Sequence, residues 1–179
     1  MMRTLVLGWM LSCGAMLEGA AILSVDPAPV TAAVGQSFQV GVVLSGAPDL
    51  VAFQFDVLFP TFLSLDSVVE AGYFAANGVF FVPGVTGVGT VTGISDVLIA
   101  PGAPDPDTLV TLHFTALAEG TGTIGFANVL LLDSNFSEVE LGEMGTGDVT
   151  VETAPVQVVP EPGSLLLLGC GLLLGLLKR

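Results

Sequence analysis

Between Arg3 and Lys178 the chain contains no lysine and no arginine. Of its seventeen acidic residues only Glu18 and Glu161 fall outside residues 22–159, so that stretch holds fifteen carboxylates and one histidine, His113. No Lys or Arg can form a salt bridge there, and a fold built from it must be held by apolar burial and sheet hydrogen bonding. The same fact removes whole classes of function. Nucleic-acid binding draws its affinity from Lys and Arg neutralising phosphates, and an anionic membrane surface would repel the segment. An acidic surface instead keeps the protein soluble and favours cationic partners or divalent ions. Both cysteines, Cys13 and Cys170, lie in the end segments, so the middle must hold without a disulfide.

The N-terminus, MMRTLVLGWMLSCGAMLEGAAILS, has one positive charge at Arg3, an apolar stretch from Leu5 to Leu17 and small residues at Gly19, Ala20 and Ala21. That is the pattern of a secretory signal, with residues 1–21 removed by cleavage after Ala20 or Ala21. A lipoprotein reading would acylate Cys13 after Met10-Leu11-Ser12, but the apolar run before Cys13 is very short for it.

The C-terminus, PEPGSLLLLGCGLLLGLLKR, poses a choice between core helix, membrane anchor and removable label. Leu165 to Leu177 is thirteen apolar residues, which as a helix reach ~20 Å against a hydrocarbon core of ~30 Å. Pro160 and Pro162 cannot continue a helix, whereas Ser164 can cap one, so the helix should start just after the prolines. A core helix would need a polar face, and none can be drawn through Leu165, Leu166, Leu167, Leu168, Leu172, Leu173, Leu174, Leu176 and Leu177. Lys178 and Arg179 would hold the far end in the cytoplasm, which leaves everything before Pro160 outside. A plain anchor remains one reading. Pro160-Glu161-Pro162, a short leucine-rich helix and a terminal basic pair together resemble the PEP-CTERM sorting signal. The resemblance implies processing near Pro160 to Pro162 by an exosortase, in a Gram-negative bacterium that makes extracellular polysaccharide and biofilm. It also implies export to the cell envelope or surface after transient anchoring in the inner membrane.

Residues 22–154 then form one domain, 155–163 a proline-rich linker and 164–179 the sorting helix. The domain reads as short β-branched and aromatic runs separated by Gly, Pro and Asp, an all-β pattern. In SFQVGVVL, Phe38, Val40, Val42 and Leu44 share a face. In VAFQFDVLF, Phe53, Phe55, Val57 and Phe59 share one face and Ala52, Gln54, Asp56 and Leu58 the other. Further strands are expected at Leu23 to Val25, Val79 to Val82, Thr90 to Ile94, Thr108 to Ala118, Thr123 to Leu132 and Asp148 to Val158. About eight strands with turn signals such as APGAPDPDT between them suggest a two-sheet sandwich.

The order of these runs resembles the cohesin domain, a jelly-roll-like sandwich related to family 2 and 3 carbohydrate-binding modules. The likeness is carried by Val34-Gly35 with its alternating strand, Phe53-Gln54-Phe55-Asp56 leading into Leu63 to Leu65, the pair LVTLHFTALAEGTGTI, and Gly147-Asp148-Val149. It implies binding of a dockerin-like protein through one flat sheet face, to which the outward residues Ala52, Gln54, Asp56 and Leu58 would contribute. The family's Tyr-Asp-Pro turn after this strand is replaced by Phe59-Pro60, one residue shorter.

Little points to catalysis. His113 alternates with Thr111 and Thr115 opposite Leu112, Phe114 and Ala116, as a solvent-facing strand residue does. No serine sits in a Gly-x-Ser-x-Gly elbow, and one His without Cys does not make a zinc site. Two carboxylates would suffice for glycoside hydrolysis, yet no pair stands out among fifteen. If a small ligand binds, the loop oxygens of Asp105, Asp107, Asp133, Asn135 and Glu138 suit calcium, although their spacing fits no EF-hand and a solvated acidic loop is the plainer reading. Trp9 lies in the signal, which leaves Tyr73 and several Phe, a poor stock for a stacking platform on crystalline cellulose. A cleft for a single glycan chain stays open as the alternative to protein docking.

The expectation is an exported, non-catalytic binding module. Mass spectrometry of the protein recovered from its native host should find a start at Ala21 or Ile22, no lipid on Cys13, and an end near Pro162; an intact chain from the cytosol would contradict export.

Overall fold

The computed structural model describes residues 20–99 and 102–153. Residues 1–19 of the signal, with Cys13, the linker, Pro160-Glu161-Pro162, the leucine helix and Lys178-Arg179 lie outside the described residues, whereas Ala20 and Ala21, given to the signal by the sequence, are described and Ala21 opens the first strand. Within them the chain forms eleven strands: β1 (Ala21–Asp26), β2 (Val30–Ala33), β3 (Ser37–Ser45), β4 (Leu50–Leu58), β5 (Leu63–Glu70), β6 (Val82–Gly87), β7 (Thr90–Val97), β8 (Asp107–Ala116), β9 (Gly120–Asp133), β10 (Leu141–Met144) and β11 (Gly147–Glu152). One short helix, α1 (Gly72–Asn77), follows β5.

The strands make two sheets, ordered β10-β1-β3-β8-β5 and β2-β11-β9-β4-β7-β6. Neighbours are antiparallel except β1 with β10 and β2 with β11, which run parallel. The chain passes from the first sheet to the second between β1 and β2, through Pro27 and Pro29. Proline has no N–H to give a ladder, so a strand stops there and a new one starts in the other sheet.

Period-two alternation decides what is buried. On β3, Val40, Val42 and Leu44 are buried; on β8, Leu112, Phe114 and Ala116; on β4, Phe53, Phe55 and Val57, with Phe59 just beyond. The inner faces meet through an aromatic chain. Phe114 stacks on Phe38 at 5.6 Å and takes Phe59 edge-on at 5.3 Å, which joins the two sheets. Phe53 meets Phe55 at 5.5 Å and Phe74 of α1 at 4.9 Å, and Phe55 meets Phe126 of β9 at 5.9 Å. Full burial of each such side chain contributes about 1.5–3 kcal/mol, with a further ~0.5–1.5 kcal/mol for a well-oriented ring pair.

Three strands exceed the expected set: β2, β5 and β10. Two of them, β2 and β10, are four residues long, too short to show a period, and each is fixed by a partner distant in sequence. The strand expected at Val79 to Val82 begins instead at Val82 and runs to Gly87. It pairs with β7 across the two-residue turn Val88-Gly89, while the Phe80 amide is taken by Asp96 Oδ1. β8 ends at Ala116, β9 extends from Gly120 to Asp133, and β11 is described to Glu152.

One carboxylate shapes the centre of the larger sheet. The pairing of β4 slips against β9 between Gln54 and Asp56, where β9 bulges at Asn128 (φ 50), and against β7 between Phe55 and Val57, where β7 turns through Gly93 (φ 74). Asp56 fills this irregularity: Oδ1 accepts from the Gly93 amide at 2.7 Å and Oδ2 from Asn128 Nδ2 at 2.6 Å. The glycine supplies a left-handed conformation that a side chain rarely adopts.

Urea unfolding should show Phe114→Ala losing about 3–5 kcal/mol, whereas Phe136→Ala, on a side chain 71% exposed, should stay within ~0.5 kcal/mol. Asp56→Ala should lose about 1–3 kcal/mol by orphaning two donors, and Gln54→Ala next to it should lose almost nothing.

Candidate functional site

β4 lies in the middle of the larger sheet, between β9 and β7, with β6 at the free edge. Its outward residues therefore sit at the centre of a flat face. Gln54 is flanked by Leu130 on β9 and Ser95 on β7, and Ser95 by Val82 on β6. The next row is Leu132, Ala52 and Val97. Leu58, Val82, Val97 and Leu130 are 47, 47, 37 and 39% exposed. Beyond Val97, the exposed side chains of Ile99 and Phe136 border a depression of about 360 Å³ whose floor includes Val51 and Leu98.

The four outward β4 residues differ in what they present. Gln54 and Leu58 are exposed. Asp56 is half-buried and its carboxylate is spent on Gly93 and Asn128. Ala52 is buried, contrary to an open position, because its methyl lies between the larger Leu132 and Val97. The alternation fails at the start of β4, where Leu50, Val51, Ala52 and Phe53 are all buried. Leu130, Val97 and Val82 belong to the face through pairing register, which local patterning does not give.

His113 is half-buried on the outer face of the other sheet, paired with Gln39 and Ser67. It borders a shallow depression of about 450 Å³ with Ser37, Phe38, Asp66 and those two residues. Tyr73 packs partly buried against the core, and the exposed large aromatics are Phe80 and Phe136.

The acidic loop residues fall into two places. Asp105 and Asp107 diverge: Asp105 Oδ1 accepts from the Ala47 amide at 3.4 Å, while both Asp107 oxygens accept from the Tyr73 amide at 3.0 and 3.1 Å. Burial raises the Asp107 carboxyl above its ordinary value, and the Tyr73 and Thr108 amides oppose this. Asp133, Asn135 and Glu138 do come together, with Asp49 and Glu140, around a cavity of about 590 Å³ that Ala47 also lines. The Ser137 amide, with that of Asn135, holds the Asp133 carboxyl below its ordinary value. Among the described residues no three His, Cys, Asp or Glu converge as a metal site.

A feature the sequence does not announce is a carboxyl pair, Asp96 buried and Glu70 half-buried with its Oε1 enclosed. Asp96 occupies an inward position of β7 between Ile94 and Leu98 and is fully buried. Its Oδ1 accepts from the Val97 amide at 2.7 Å and the Phe80 amide at 3.2 Å. Its Oδ2 meets Glu70, at the end of β5. Burial first, then the hydrogen bond with Asp96 and its charge, push the Glu70 carboxyl up to about 7. The only sequence sign was an acid at one step of the inward series Val91, Ile94, Asp96 and Leu98.

No curated protein matches the chain. Solved structures share its fold at low identity. A non-cellulosomal cohesin from the hyperthermophilic archaeon Archaeoglobus fulgidus superposes with a TM-score of 0.62 at 14% identity, covering 75% of this chain and 93% of that one. CaCohA2 from Clostridium acetobutylicum gives 0.64 at 16%, covering 77% and 95%. The chain from a type I cohesin–dockerin complex of Clostridium thermocellum gives 0.61 at 14%, covering 75% and 100%. The cohesin domain family matches residues 23–151, almost the whole of the two sheets. The expected all-β, two-sheet sandwich is thereby met, and this chain belongs to the cohesin domain family.

Proposed function

We propose that the protein is an exported, non-catalytic docking module that seats a dockerin-like protein on the outer face of β9, β4, β7 and β6. The observation that carries this reading is the apolar strip of Leu58, Val82, Val97 and Leu130 exposed around Gln54. Burial of such a strip supplies the apolar centre of an interface, and one amide in its middle fixes register. The carboxylate nearest the centre, Asp56, is already bonded within the sheet, so docking would not strip water from a free charge. Structural neighbours solved as cohesin–dockerin complexes support a partner of the same kind. With fifteen carboxylates and no Lys or Arg in residues 22–159, the module would attract a partner that brings the basic groups.

Export rests on the sequence ends: the signal at residues 1–21 delivers the domain across the inner membrane, and the leucine tail holds it until an exosortase acts near Pro160 to Pro162. Binding of extracellular polysaccharide is the rival reading. With Tyr73 packed partly into the core, the exposed rings among the described residues are those of Phe80 and Phe136, neither a Trp nor a Tyr, which weighs against it.

Surface plasmon resonance against dockerin-like domains encoded by the same organism tests the assignment. Val97→Arg and Leu130→Arg should each weaken binding by at least ~10-fold, while Thr111→Arg on the opposite sheet should leave it unchanged. Equal loss from both faces would overturn the proposed site. Capture of the domain by the producer's own polysaccharide, with no dockerin-like domain bound, would move the function to carbohydrate.

A further inference from the structure

We propose that Glu70 and Asp96 share one proton, and that this proton clasps the two sheets together along the side closed by α1. Glu70 ends β5, the edge of the five-stranded sheet, and Asp96 points inward from β7 of the six-stranded sheet. The chain that joins these two strands, α1 and β6, crosses from one sheet to the other at this seam. Glu70 Oε1 and Asp96 Oδ2 both press on Gly78, where a Cβ would collide with each of them and with the Phe74 carbonyl. A glycine is required there because the acids fill the space.

Hydrogen-bond accounting gives the proton its place. Both oxygens are buried without a donor when the groups are written as carboxylates. One proton turns the contact into O–H···O⁻ and satisfies both atoms at once. No cationic side chain is there to do so. Residues 4–177 hold no Lys or Arg, and the neighbouring titratable groups are engaged elsewhere. On β8, Asp107 binds the Tyr73 amide and His113 faces outward. On β4, Asp56 binds Gly93 and Asn128. On β5, Asp66 accepts from Thr115. Tyr73 is the titratable residue of α1, and β6 has none.

The sign follows from the direction of the Glu70 shift. Its carboxyl is raised from about 4.5 to about 7, so the folded state binds more protons than the unfolded chain between those values. The clasp's contribution is complete below pH 4.5 and is lost as pH rises through 7. Above that, two buried negative charges face each other at Gly78 and the seam loosens. This inference is independent of the partner and of the docking face.

Thermal unfolding of the protein at pH 5 and pH 8, in chelator, tests it. The melting temperature should fall by several degrees between the two. Asp96→Asn and Glu70→Gln each place a permanent N–H between the groups, so both should lose most of that fall and melt above wild type at pH 8. Glu143→Gln, an exposed acid on β10, removes one charge without touching the pair and should keep the wild-type profile. Amide exchange, corrected for the intrinsic effect of pH, should show Phe80 deprotected at pH 8 in wild type and protected in Glu70→Gln. That variant serves as the control if Asp96→Asn fails to fold. A pH profile unchanged in both amide variants would overturn the shared proton. So would recovery of the wild-type melting temperature at pH 8 in millimolar calcium without chelator, absent in Asp96→Asn, which would put a cation between the groups.

Discussion

A domain without lysine or arginine must satisfy its carboxylates with neutral donors, and the structure does this largely with backbone amides. Asp49 accepts from Gly102, Asp56 from Gly93, Asp96 from Phe80 and Val97, Asp105 from Ala47, Asp107 from Tyr73, and Asp133 from Asn135 and Ser137. These amides lie in turns, loops and irregular or newly ending strands, where the ladder leaves N–H groups unused. Each bond satisfies the acid and the loop together. Acids at such positions bond amides 1 to 58 residues away, and the longer of these bonds work as staples between segments, a task that ion pairs with Lys or Arg cannot take here. The remaining cohesion comes from the sheet ladders and from the buried aliphatic side chains and phenylalanine rings between the sheets.

The docking face depends on the same device. β4 can present Gln54 and Leu58 outward only if its slipped pairing with β9 and β7 is stable, and Asp56 stabilises that slip from the outer side. An outward acid on a central strand looks like a contact residue when the strand is read alone. In the sheet it is a structural one, and the face it leaves is more apolar than the four-residue pattern Ala52, Gln54, Asp56 and Leu58 implies. In the proposed docking, the main apolar contact thus shifts from β4 to its neighbours, Leu130 and Val97.

How much of this was legible follows from range. Period-two alternation is local, so the burial of Val40, Val42, Leu44, Phe53, Phe55, Val57, Leu112 and Phe114 could be read directly from the sequence, as could the all-β class. The short strands β2 and β10 were not, since a four-residue run carries no period and exists because β11 and β1 hold it. Nor was the outer face, because register between β4, β7 and β9 is set by bulges at Asn128 and Gly93 and by the hairpin turn at Val88-Gly89. The carboxyl pair failed for a further reason: Glu70 and Asp96 are 26 positions apart by number, and nothing in either neighbourhood names the other. An acid on an inward step of β7 was a sign that something unusual meets it, but only the fold supplies the partner.

Two open sheets also leave four edges, and their protection bears on how the protein binds. β2 and β10 are four residues long, β10 carries Glu143, β6 carries Pro83, and β5 carries the exposed Asp66. Short edges, a proline and charges are what keep strands from adding neighbours. Proteins commonly use lysine for this purpose; with none present, acids and proline take over. Since every charge on the domain is then of one sign, apart from any on His113, two copies brought edge to edge would meet like with like, and a new strand would have to overcome that repulsion as well as the missing Pro83 donor. The uncharged strip on the larger sheet escapes both obstacles. In the proposed docking, these features direct association away from the edges and toward the face, and favour a partner of opposite charge over a second copy of the chain.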